Sequence, residues 1–116
     1  MEINYKIKPL SVNDCSKGRR FKTPEYRGYE SLLMYDLPEM EIPSPPFQVW
    51  FEFGFSNAAS DIDNPVKPLQ DVLQKKYRFN DKDIYRSHTD KVVVKKGEDY
   101  FKFKIENFDI KTRLLL

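Results

Sequence analysis

Cysteine and histidine are almost missing from this chain: Cys15 and His88 each stand alone among 116 residues. A single cysteine excludes an intrachain disulfide, and one cysteine with one histidine cannot supply the soft ligand set of a structural zinc site. The chain therefore suits a reducing compartment, and the sequence is read as cytoplasmic. Long apolar runs are lacking too. No stretch approaches the roughly 18 to 20 consecutive apolar residues of a membrane helix, and the first residues lack the basic-then-apolar pattern of a secretion signal. Neither sign of charge dominates, since 20 Lys and Arg face 18 Asp and Glu for a formal net charge of +2. Net charge alone thus makes no case for a nucleic-acid partner, and only its distribution can.

That distribution is uneven. From Lys6 to Arg27 the chain carries seven basic residues against Asp14 and Glu25, whereas every charged residue from Glu30 to Glu41 is acidic. Nine Phe and seven Tyr within 40% hydrophobic residues describe a folded protein. One domain over residues 1–116 is expected, because the chain is too short for two independent cores.

Glu2 to Pro9 alternates, with Ile3, Tyr5 and Ile7 on one side and Asn4, Lys6 and Lys8 on the other, which predicts a half-solvated strand. Leu10 to Pro24 reads as a long loop carrying Lys17, Arg19, Arg20 and Lys22, either a solvated surface or a clamp for phosphates. Thr23 is placed to cap a helix opened by Pro24, and Tyr26, Tyr29, Leu33 and Leu37 recur at helical spacing, so a helix is expected over 24–37. Pro38, Pro43, Pro45 and Pro46 make a rigid connector.

Phe47 to Phe55 is the strongest strand, with Phe47, Val49, Phe51, Phe53 and Phe55 directed at a helix-covered core. Trp50, on its other side, is expected in the core, at the sheet edge or at a partner interface. Val66, Leu69, Leu73 and Tyr77 form one helical face; Pro68 suggests a tight turn over 65–67 with the regular helix starting at Pro68, which puts Asp71 in its first turn near Lys67. Ile84 to Lys95 and Asp99 to Phe108 read as the two arms of a hairpin, with His88 a hydrogen-bonded strand residue. The ending Arg113 to Leu116 is an apolar tail able to cover the sheet or dock on a second subunit. Together these elements predict an α+β fold, a small mixed β-sheet with two main helices packed on it.

Asp61-Ile62-Asp63-Asn64-Pro65-Val66-Lys67-Pro68 is the stretch that points to chemistry. If Asp61 to Asp63 is the extended end of a strand, both carboxylates point the same way. Asp81, after the helix, would complete an all-oxygen site of the kind Mg²⁺ prefers, with Asp83 as a substitute and Asp71 as an outer-sphere or capping group. Lys67 would neutralise transition-state charge, orient the attacking water, or keep the acidic cluster tolerable. The plain alternative is that Asp favours turns and helix starts.

Two blocks of the chain resemble the RusA-type Holliday junction resolvases of bacteria and their phages. One is Lys8-Pro9-Leu10-Ser11-Val12-Asn13 with Lys17 to Tyr26 behind it; the other is Asp61 to Pro68 with Asp71, then Asn80-Asp81 and Ile84. The resemblance covers nearly the whole chain. It implies a homodimeric, Mg²⁺-dependent endonuclease, with Mn²⁺ as a substitute, that recognises four-way DNA junctions by shape and nicks two strands symmetrically. It places the family's three catalytic aspartates on Asp61, Asp63 and Asp81 and its lysine on Lys67, and it assigns DNA contact to the region of Lys17, Arg19, Arg20, Lys22 and Tyr26. Where the family often has two adjacent aspartates, Asn80 stands first here. The rival readings are a nuclease for branched DNA in general, a noncatalytic junction-binding module, and a structural protein.

Overall fold

The computed structural model describes residues 2–17 and 21–109. The Arg113 to Leu116 tail and the Arg19-Arg20 pair lie outside them. Four strands form one sheet in the order β1-β6-β4-β5, comprising β1 (Glu2–Tyr5), β4 (Phe47–Phe55), β5 (Ile84–Val93) and β6 (Tyr100–Asn107). β6 runs antiparallel to both β1 and β4, while β5 runs parallel to β4, so the sheet is mixed.

Period-two alternation decides which face is buried. Phe47, Val49, Phe51, Phe53 and Phe55 of β4 join Phe101, Phe103 and Ile105 of β6 in the core, as expected for residues sharing one face. Two helices cover that face. Helix α1 (Pro24–Asp36) is capped by the Thr23 hydroxyl, which accepts from the Tyr26 N–H at 3.2 Å, and it buries Tyr26, Tyr29 and Leu33. Helix α2 (Val66–Tyr77) buries Pro68, Leu69, Val72, Leu73 and Tyr77. Each fully buried Phe or Leu contributes on the order of 1.5–3 kcal/mol, which makes this layer the main source of stability. The result is a small α+β domain, a mixed four-stranded sheet with two packed helices.

The expected hairpin is not formed. β4 lies between β5 and β6, and the six residues from Val94 to Asp99 cross the end of β4 to reach β6. The crossing is held where it passes, by the Val94 N–H on the Phe55 carbonyl at 2.8 Å and by Asp99 Oδ2 accepting from the Ser56 N–H at 3.4 Å. Six residues easily span two strand spacings of about 4.8 Å each. A true hairpin would pair β5 with β6 and leave one edge of the apolar β4 without hydrogen bonds.

Other expectations shift for local reasons. β1 ends at Tyr5, although Ile7 still packs on the core. The Leu10–Pro24 loop contains a short 3₁₀ turn at Val12–Asp14 and a two-residue ribbon, β2 (Ser16–Lys17) with β3 (Phe21–Lys22). α2 begins at Val66, because Pro68 sits third in the helix, where no intrahelical donor is needed; Asp71 consequently lies beyond the first turn. Trp50 is 36% exposed on a central strand, so neither the core nor the sheet edge describes it. Its ring stacks on His88 at 3.8 Å between centroids, and His88 Nε2 has no hydrogen-bond partner among the described residues, contrary to the bond expected for it. No helix among the described residues is long and apolar enough to cross a membrane.

Candidate active site around the second helix

Asp61 and Asp63 do not continue a strand. β4 ends at Phe55, and Asn57 then organises a turn, its side chain accepting from the Ala59 N–H at 2.9 Å and its carbonyl from the Ser60 N–H at 3.2 Å. The polar run Ser56 to Ser60 favours that turn over further pairing, so the period-two argument for parallel carboxylates does not apply. Asp61 to Asp63 instead form an exposed bend leading into α2. Lys91 of β5 fastens this loop from beneath, donating to the carbonyls of Ala58, at 2.6 Å, and Ser60. Sequence reading missed Lys91, whose alternating strand position carries no sign of this role.

The N-terminal block packs on the same bend. The Val12 N–H donates to the Asn64 carbonyl at 2.8 Å, and Asn64 Nδ2 reaches Asp61 Oδ2 at 3.4 Å. Lys8, Leu10, Ser11 and Asp14 face Asp61, Asn64 and Pro65 across a groove of about 350 Å³. A neighbouring cavity of about 170 Å³ is lined by Cys15, Lys22, Tyr26, Lys67 and Asp71. Lys22, Tyr26 and Asp71 continue into a cleft with Gln74 and Lys75.

Lys67 and Asp71 meet as expected, one helical turn apart, with Nζ 2.9 Å from Oδ1. The hydrogen bond that Lys67 donates to Asp71 raises the Lys67 pKa above the ordinary lysine value, burial opposing it and the charges of Asp71 and Asp81 adding to it. Asp81 is therefore on the Lys67 side of α2, although it follows the helix in sequence. Gln74 connects the two: its Nε2 donates to Asp71 Oδ1 at 3.4 Å, and its Oε1 accepts from the Asp81 N–H at 3.0 Å. Asp83 lies in the same short 3₁₀ turn as Asp81, Asp81–Asp83, and its N–H donates to the Asn80 carbonyl.

On the opposite wall, Lys22 lies 4.7 Å from the centre of the Tyr26 ring, a cation–π contact. Burial, then a hydrogen bond donated to Glu30, raises the Tyr26 pKa, so its hydroxyl stays protonated at neutral pH. Glu30 is held below the usual carboxylate range: burial opposes this, and the bonds from Lys75, at 2.7 Å, and Tyr26 outweigh it. Burial pushes the Cys15 thiol up against the pull of Lys22, which makes it a poor nucleophile. Glu30, Lys75 and Gln74 were absent from the residues singled out by sequence. Gln74 and Lys75 stand three and four residues after Asp71 on α2, and packing α1 beside α2 brings Glu30 to Lys75.

Asp61, Asp63 and Asp81 supply hard oxygen donors, the type that suits Mg²⁺, and all three are exposed. Among the described residues, however, no three His, Cys, Asp or Glu side chains are gathered into a group that could hold a metal ion. The donor chemistry fits such an ion, while the loops carrying the donors do not form a finished coordination set. Lys17 stands in the β2–β3 ribbon beside Phe21, where the pairing leads the chain back to Lys22. Compared with known proteins, the chain matches no family model and no curated protein.

Proposed function

We propose that this chain is a Mg²⁺-dependent endonuclease of the RusA type that acts as a homodimer on branched DNA, four-way junctions above all, and nicks two strands symmetrically. The observation that carries the reading is the meeting of the two blocks on which the resemblance rests: Val12 bonds to Asn64, and Lys22 and Tyr26 share a cavity with Lys67 and Asp71. Residues roughly 45 to 52 positions apart thus form one surface, with Lys22 and Tyr26 on one wall and the Lys67–Asp71 pair on the other. Lys22 and Lys67 neutralise a phosphate that approaches the cavity. Lys67 is 58% exposed in its pair with Asp71, and such a pair is worth only about 0.3–0.5 kcal/mol, so a phosphate can take the ammonium from it. Asp61, Asp63 and Asp81 would hold the metal, which would supply an activated water and neutralise charge on the phosphate. Two nicks on opposite strands call for two such sites about a two-fold axis.

The test is incubation of the chain with labelled four-way, forked and linear DNA, with and without Mg²⁺, beside Asp63→Asn. Paired symmetric nicks in the four-way substrate are expected, with cutting reduced by about 10²-fold or more in the variant and binding retained. Equal cutting of forks would make the chain a general branched-DNA nuclease. Binding without any metal-dependent incision would make it a noncatalytic junction-binding module and end the nuclease reading.

A further inference from the structure

The turn Asp81–Asp83 contains no buried residue, so no apolar contact fixes Asp81. A polar clamp does. Arg78 adopts the left-handed conformation (φ 57°), and its N–H donates to the Gln74 carbonyl, closing α2 and turning the chain back along the helix. The Phe79 N–H donates to the same carbonyl at 3.3 Å. The Gln74 side chain then takes the Asp81 N–H on Oε1 while its Nε2 faces Asp71 Oδ1. Only one orientation of the amide satisfies both partners, because a flipped amide sets oxygen against carboxylate and N–H against N–H. Main chain and side chain of one residue thus anchor the returning segment at successive points.

We propose that Gln74 is a positioning residue that holds Asp81 against α2 and sets it beside the Lys67–Asp71 pair. It touches neither substrate nor metal; it acts by fixing the backbone from which the Asp81 carboxylate projects. Groups that orient such ligands commonly matter by about 10- to 100-fold. The proposal rests on the nuclease reading for its effect on cutting, but its structural core can be tested without it.

Two variants of the full chain separate the possibilities. Gln74→Met keeps length and helix propensity and loses both bonds, whereas Gln74→Glu keeps the acceptor for Asp81. In metal-free chain, hydrogen exchange followed by NMR should show the Asp81 amide exchanging about tenfold faster in Gln74→Met, with amides of β4 and β6 unchanged, and protection partly recovered in Gln74→Glu, whose one oxygen keeps the Asp81 bond while the other repels Asp71. With four-way DNA and Mg²⁺, kcat of Gln74→Met should fall by about tenfold or more while KM stays unchanged. Unchanged Asp81 exchange in Gln74→Met overturns the proposal, as does faster exchange with undiminished kcat. A wild-type chain that cuts no DNA sinks the nuclease reading instead, and the exchange comparison still decides whether Gln74 holds Asp81.

Discussion

Lys67 is the second residue of α2, where a cation opposes the helix dipole. Helix propensity alone gives no reason to put it there, and Asp71 one turn on compensates. Since Asp71 is the largest cause of the raised Lys67 pKa, the ammonium persists to higher pH than an ordinary lysine. Its small contribution to stability is complete below the ordinary lysine range and lost as pH rises through the raised value. Asp71→Asn removes that cause, so the alkaline limb of nicking should move to lower pH, read from a rate profile between about pH 8 and pH 11.5. A limb that stays in place would assign the alkaline loss to another group. At this scale the sequence was legible where neighbours in space are neighbours in the chain. The Thr23 cap and the Lys67–Asp71 pair follow from spacings of three and four. The stack of His88 on Trp50 joins residues of two strands, and no local spacing announces it.

Among the elements, β4 needed least inference: five alternating apolar residues over Phe47 to Phe55 can satisfy only a strand with one buried face. Its one glycine has a packing reason. A Cβ on Gly54 would come within 2.2 Å of the ring of Tyr100, its partner on β6, and Tyr100 is pinned by its hydroxyl donating to Glu52 Oε2 at 2.5 Å. Gly54→Ala should therefore cost about 1–3 kcal/mol and much less in a Tyr100→Ala background, as denaturant unfolding of the four chains would measure. Additive effects would show that the ring moves aside freely. The hairpin expected from β5 and β6 was unreadable for a related reason. A six-residue link fits both a turn between adjacent strands and a step across a third, and only the two unfilled edges of β4 choose the second. Pro68 misled in the same way, because its cost depends on where the helix begins.

For the whole molecule, the proposed paired nicks would require two sites, with each chain of a dimer supplying one surface around α2. Heterodimers of wild-type and Asp63→Asn chains should nick one strand of a four-way junction and leave its opposite intact, a product pattern that a denaturing gel distinguishes. Paired nicks from such heterodimers would mean that one site cuts twice and would remove the need for the two-fold arrangement. By itself the sequence determined the α+β class, α1 with its cap, the core face of β4 and the chemical character of the Asp61 to Asp81 segment. Each of these depends on residues within a few turns or one strand of each other, where period and capping act directly. Tertiary structure alone decided that β4 separates β5 from β6, that Asp61 and Asp63 lie on a bend, and that Val12 meets Asn64. It also set α1 beside α2, so that Lys22 and Tyr26 face Asp71, and folded Asp81 back onto Gln74. These outcomes follow from satisfying the edges of a central apolar strand and burying two helices on its one apolar face, a global condition that no local window contains.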